Sequence, residues 1–306
     1  MSLMDKAVGF ALPAVPKPIV GFFSKRYIAG PSIDDALRVV RELDREGAMA
    51  TLDILGEFIS SLDQAETNTR AYVALVRRVA SEKLPGANVS VKLTALGLLL
   101  DKNRCLENVR LLVQAAAETG SFVRIDMEDA QCTDTTLEVY RAVRAELPGR
   151  VGVVLQSRLR RTLDDVDALT AEPANFRLCK GIYLEPRRIA YTDAEIIRNN
   201  FTLALERMFE RKAYVGIATH DERLVWEALR LVRKFGLQPE QYEFQMLLGV
   251  EEELRRILLR SGHRLRVYVP YGEEWYAYSV RRLRESPQIA GHAFKALLRR
   301  RPARTP

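Results

Sequence analysis

Arg281 and Arg282 stand next to each other, with Tyr278 three and four residues before them and Glu285 three and four residues after. On a helix the two arginines point about 100° apart, and the i±3 and i±4 spacings bring the ring and the carboxylate to the same face. Such a group suits a small amphoteric substrate. Guanidinium forks take a carboxylate, a tyrosine ring covers an apolar body, and Glu285 steadies one arginine. From the spacing alone, a solvated helix carrying an i,i+4 ion pair is the favoured reading. What precedes it favours chemistry: Val267-Tyr268-Val269-Pro270-Tyr271-Gly272 is a short apolar strand leading straight into that helix.

Other polar groups fall at the ends of apolar runs. They are Glu57, Lys92, Asp126 with Glu128 and Asp129, Gln156, Arg177 with Lys180, Thr219-His220-Asp221, and the strand Glu243-Phe244-Gln245-Met246-Leu247. Charges inside apolar strands are costly unless paired or used. Singly, each fits a structural ion pair; Lys92, Asp126, Arg177, His220 and Arg281 reaching one mouth fit a shared site better. A cation-rich mouth suits an anionic cofactor such as a phosphorylated flavin, and equally a phosphorylated sugar or an enolate. His220, His263 and His292 are the only histidines, too thinly spread for a His-rich metal site, and no metal is expected. No Gly-x-Ser-x-Gly elbow, Gly-x-Gly-x-x-Gly turn or phosphate-binding Gly-x-x-x-x-Gly-Lys-Ser/Thr loop occurs.

The elements that must position these groups alternate. Short runs rich in Val, Ile and Leu predict strands over 48–54, 89–93, 122–127, 151–155, 175–180, 214–218, 242–247 and 266–270. Their continuity predicts parallel strands buried on both faces. Between them lie amphipathic helices. Residues 66–83 put Tyr72, Leu75, Val76 and Val79 on one stripe, and residues 192–211, capped by Thr192, do so with Ile196, Ile197, Leu203 and Leu205. An extra helix over 32–46 precedes the first strand. Eight β-then-α units predict a closed α/β barrel of the (β/α)8 TIM type, with a doubly wound open sheet as the alternative.

With 306 residues, 47% of them hydrophobic and 28% charged, the chain has ordinary globular composition. Its formal charge of +7 permits anionic partners, but aromatics are not interleaved with basic residues and no nucleic-acid partner is expected. Much of the excess sits at the end. Phe294, Leu297 and Leu298 precede Arg299, Arg300, Arg301 and Arg304, a basic amphipathic segment suited to peripheral membrane contact or to solvation as a tail. Cys105, Cys132 and Cys179 are far apart, which fits a reducing cytoplasm. The apolar stretch 7–20 is interrupted by Pro13, Pro16 and Pro18 and reads as neither signal peptide nor membrane span. The expected organisation is an N-terminal helical arm over 1–46, a catalytic barrel over 47–288 and a basic tail over 289–306.

Across nearly the whole barrel the chain resembles the proline dehydrogenase family, including the matching domain of bifunctional proline utilisation proteins. The resemblance rests on Val91-Lys92-Leu93-Thr94, Ile125-Asp126-Met127-Glu128, Leu155-Gln156, Arg161-Thr162 and Arg177-Leu178-Cys179-Lys180-Gly181-Ile182-Tyr183. It continues through Ala218-Thr219-His220, the Glu243–Leu247 strand, Tyr268-Val269-Pro270-Tyr271-Gly272 and Arg281-Arg282-Leu283-Arg284-Glu285. It implies a distorted barrel with the last helix over the mouth, non-covalent FAD, and oxidation of L-proline to Δ1-pyrroline-5-carboxylate. Hydride would pass to flavin N5 and electrons to a membrane quinone. It further implies that Arg281 and Arg282 clamp the proline carboxylate, with Glu285 and Lys92 completing the polar shell and Tyr183, Leu247, Tyr268 and Tyr278 forming the apolar cage. Met127, Gln156, Arg177, Lys180, Gly181, Ile182, Thr219 and His220 would hold the flavin. Arg177 would lie near N5, oriented by Asp126, and Glu57 would pair with Arg281 as a gate. Asp221, Arg158 and Leu248 depart from the family's usual asparagine, aromatic and tyrosine. A flavin-free barrel enzyme acting on a phosphorylated or carboxylated metabolite is the alternative function.

Overall fold

A computed structural model describes residues 26–56, 59–276 and 279. Eight parallel strands follow one another round a closed barrel: β1 (Met49–Ile54), β2 (Ala87–Val91), β3 (Val123–Ile125), β4 (Val151–Gln156), β5 (Asn175–Cys179), β6 (Tyr214–Ala218), β7 (Tyr242–Leu247) and β8 (Leu265–Tyr271). Pairing of β1 with β8, from Met49 beside Arg266 to Ile54 beside Tyr271, closes the sheet and removes the open alternative.

The helices among the described residues are α1 (Ile33–Arg45), α2 (Leu62–Ser81), α3 (Lys102–Glu118), α4 (Ala130–Glu146), α5 (Thr162–Leu169), α6 (Ala194–Glu210), α7 (Glu222–Phe235) and α8 (Glu252–Arg260). Local chemistry sets their starts. Ser32 and Asp35 form a reciprocal capping box on α1, and the Ser61 hydroxyl caps α2 four residues ahead of the predicted start. At α6 the cap is Asp193, which accepts from the amides of Glu195 and Ile196; it displaces the expected Thr192 because a carboxylate is the stronger acceptor there. The buried stripe of α6 also turns: Ile197, Phe201, Ala204, Leu205 and Met208 face the barrel, while Ile196 and Leu203 face outward.

Helix α1 lies on β1 and β8, where a helix following β8 would sit in a regular (β/α)8 wall. The stretch 7–20 and the tail 289–306 lie outside the described residues, as does the predicted last helix over the mouth apart from residues 273–276 and 279.

The strands are buried on both faces, but the two faces differ in kind. Outward residues such as Val89, Ile125, Phe176, Ile217 and Val267 join the helices in one apolar core. Inward residues are largely polar, because their side chains bond across the barrel. Arg177 on β5 reaches Ser90 on β2 at 3.0 Å, and Arg124 on β3 reaches the Asn175 carbonyl on β5 at 2.7 Å. Space for them comes from glycine: a Cβ at Gly152 would stand 2.4 Å from Arg124 Nη1, and one at Gly216 would stand 2.2 Å from Gln245 Nε2.

Candidate active site at the barrel mouth

From within β1, β5 and β8 and from the ends of β2 and β3, one hydrogen-bonded chain gathers four of the predicted residues. Asp126, just past β3, accepts from Arg177 Nη1 and from Ser90 Oγ, each at 2.6 Å on Oδ1, and from the Tyr268 hydroxyl at 3.0 Å on Oδ2. Tyr268 in turn lies 3.5 Å from Lys92 Nζ, and its ring stands 5.4 Å from the Arg177 guanidinium carbon. Lys92 ends in a 2.8 Å ion pair with Asp53. Tyr268, expected only as an apolar wall, therefore also carries a hydroxyl that joins the two buried ion pairs.

Asp53 is the residue that sequence reasoning missed. It sits at 0% exposure on β1, ahead of Glu57, the carboxylate expected after this strand, and it binds both Lys92 and the Tyr72 hydroxyl arriving from α2 at 3.0 Å. Burial raises its pKa, Lys92 opposes that shift, and Asp126 adds to it. Burial and then Asp53 push the Tyr72 phenol well above its usual value, so it stays a donor while accepting from the Ile54 amide. The signal in the sequence was an aspartate alone among apolar neighbours in Thr51-Leu52-Asp53-Ile54.

Arg177 is held from a second side. Its Nε donates to Gln245 Oε1, and Gln245 Nε2 donates to Glu243 at 2.6 Å. Burial alone would raise Glu243, but Arg266 Nε at 2.7 Å and the Tyr214 hydroxyl at 2.8 Å hold it at about 2. Burial, then the charge of Arg177, lower Arg124 to about 9, which leaves it charged at neutral pH. Arg177 is only 6% exposed, yet its Nη2 has no acceptor among the described residues.

The expected flavin residues fall into adjoining groups. Gln156 donates from Nε2 to the Met127 and Glu128 carbonyls at 3.0 and 3.1 Å, leaving Oε1 without a donor among the described residues. Gly181 adopts φ +91° against that amide, where a Cβ would stand 3.1 Å from Gln156. Lys180 pairs with Asp221 at 3.1 Å, and Arg198 joins the same oxygen at 2.7 Å. These partners outweigh the burial of Asp221 and keep its pKa below the usual value. The buried Thr219 hydroxyl accepts from the Asp221 amide, and His220 Nε2 accepts from the Leu247 amide at 2.8 Å, so His220 carries its proton on Nδ1. Ile182 is exposed, and the Tyr183 carbonyl accepts from Arg158 at 2.7 Å. Glu57, Tyr278, Arg281, Arg282 and Glu285, and with them the Glu57–Arg281 gate, lie outside the described residues. Among the described residues no cluster of three or more His, Cys, Asp and Glu has metal-site geometry.

The sequence profile of the family described as Proline dehydrogenase matches residues 36–292. Proline dehydrogenase of Deinococcus radiodurans is 36% identical over 280 residues, covering 90% of each chain. Proline dehydrogenase 2 of Bacillus subtilis strain 168 is 32% identical over 275 residues, again covering 90% of each. Among solved structures, proline utilization A of Bdellovibrio bacteriovorus inactivated by N-propargylglycine superposes with a TM-score of 0.81 at 29% identity. That match takes in 86% of this chain and 32% of that much longer one. The D778Y mutant of Bradyrhizobium japonicum proline utilization A shares the fold, with a TM-score of 0.72 at 22% identity over 85% of this chain.

Proposed function

Because the chain belongs to the proline dehydrogenase family, we propose that this oxidoreductase converts L-proline to Δ1-pyrroline-5-carboxylate with FAD as cofactor and a quinone as final electron acceptor. The observation that carries the flavin reading is Arg177: a guanidinium fixed on two sides, nearly buried, with Nη2 left for a ligand. Gln156 Oε1 and the Cβ-free surface of Gly181 offer a second polar contact and a close approach beside it. The donor set fits FAD. Met127, Gln156, Arg177, Lys180, Gly181, Ile182, Thr219 and His220 are the residues we assign to it.

In the reaction so proposed, the ring carbon beside nitrogen gives up its hydrogen with an electron pair, the nitrogen lone pair closes the C=N bond, and FAD supplies the hydride acceptor. The protein's part is electrostatic and positional. Arg177, pre-oriented by Asp126, meets developing negative charge without solvent reorganisation. The substrate ammonium must shed a proton before its lone pair can act, and the Asp53 carboxylate lies behind Lys92 Nζ to receive it. Lys92, Tyr183, Leu247 and Tyr268 would surround the pyrrolidine ring with Tyr278, and Arg281, Arg282 and Glu285 would fix its carboxylate. No helix among the described residues is long and apolar enough to cross a membrane. The visible spectrum of the purified protein tests the reading: a flavin band that bleaches on anaerobic addition of proline is expected. A colourless protein that binds no added FAD would return the site to a flavin-free metabolite.

A further inference from the structure

We propose that Glu243 and Gln245 are positioning residues that set the plane of Arg177 from the floor of the barrel. Asp126 and Ser90 both take Nη1, and anchorage at that one nitrogen leaves the guanidinium free to swing about it. The bond from Nε to Gln245 Oε1, on the far wall at β7, removes that freedom. An amide has two ends of nearly equal size, and the wrong end would set N–H against N–H. Glu243 decides which end faces Arg177, because its carboxylate only accepts and so draws Nε2 toward itself at 2.6 Å.

Glu243 is in turn held at both oxygens. Arg266 contacts both of its oxygens, at 2.7 and 3.1 Å, and Arg266 Nη1 is tied to the carbonyls of Ala50 and Gly86 at 2.7 and 2.8 Å. Gly216 on the neighbouring strand leaves the amide its space, since any Cβ there would stand 2.2 Å from Nε2. Three consecutive strands thus hold one amide, and that amide determines the direction left to Arg177 Nη2. The proposal rests on the reading that Arg177 faces the flavin, and the test separates the two.

Gln245→Met keeps length and volume but removes both amide ends; Gln245→Asn keeps the amide and draws it back by one methylene. For each, three quantities are measured: hydrogen exchange of the Arg177 Nε–H in the flavin-free protein, FAD affinity by titration, and the two-electron midpoint potential of the bound flavin. Faster Nε–H exchange is expected in both variants. Loss of the oriented cation should also cost about tenfold in preference for reduced over oxidised flavin, a potential about 30 mV more negative. A role in folding alone would lower thermal stability while leaving the potential in place. Wild-type exchange and potential in a folded Gln245→Met protein would overturn the proposal, and where flavin is not retained the exchange rate alone decides. Arg177→Met is the control: if it leaves both affinity and potential unchanged while Gln245→Met speeds exchange, the placement of the flavin is wrong and the positioning pair stands.

Discussion

Replacing Asp126 by asparagine changes almost nothing in shape and removes one charge. The wild-type carboxylate accepts three hydrogen bonds, two on Oδ1 and one on Oδ2. Asparagine can keep the pair on its oxygen and turn its amide toward the Tyr268 hydroxyl, so the geometry survives. What goes is the counter-charge of a guanidinium whose side chain is only 8% exposed. With charge centres ~4 Å apart and an effective dielectric of about 20, the direct attraction is about 4 kcal/mol. Hydrogen bonds that survive offset about 1 kcal/mol of it. With its ion pair weakened by about 3 kcal/mol, Arg177 holds its direction less firmly, and flavin reduction should slow by up to the roughly hundredfold that losing one preorganised donor costs. Anaerobic stopped-flow mixing with proline reads it directly, with FAD content from absorbance and the thermal midpoint measured alongside. Asp126→Ala should be worse, since Ser90 and Tyr268 then lose their acceptor as well. Full FAD content with wild-type reduction rates in Asp126→Asn would refute the argument that this ion pair supports chemistry.

Other outcomes follow from the same geometry. Gly216→Ala should destabilise by about 1–3 kcal/mol, because Gln245 is tied at both ends and cannot yield to the new methyl; an unchanged thermal midpoint would show that the amide moves freely. Glu243 is depressed from 4.5 to about 2, so its contribution is complete above pH 4.5 and is lost as pH falls toward 2. That contribution is on the order of 3 kcal/mol, and urea unfolding across this window should lose the corresponding slope in a Glu243→Gln, Arg266→Met double variant. Arg281→Met should leave flavin bound and lower kcat/KM for proline at least roughly thirtyfold, with Arg281→Lys a partial rescue; near-normal kinetics would remove the carboxylate clamp. Deleting residues 289–306 should weaken binding to anionic vesicles while sparing turnover with a soluble dye, each basic residue near the surface being worth about 1 kcal/mol, and unchanged vesicle binding would leave a solvated tail.

The order of strands, the barrel and the polar positions of Lys92 and Asp126 just past β2 and β3 were legible in the chain, because hydrophobic period and strand-end polarity are local properties. Of the expected α6 stripe Ile197 and Leu205 are buried, while Ile196 and Leu203 face outward; they satisfy the same helical spacing as Phe201 and Met208, and only contact with the barrel separates them. Asp53, Ser90 and the linkage of Gln245 to Glu243 were hidden for a different reason. Their roles depend on groups far away in sequence: Arg177 meets Gln245 across 68 positions, Tyr268 meets Asp126 across 142, and Arg266 meets Ala50 across 216. Barrel closure brings these groups into one low-dielectric interior, where an unpaired donor or acceptor is costly, and no local pattern in the chain records which partner each takes.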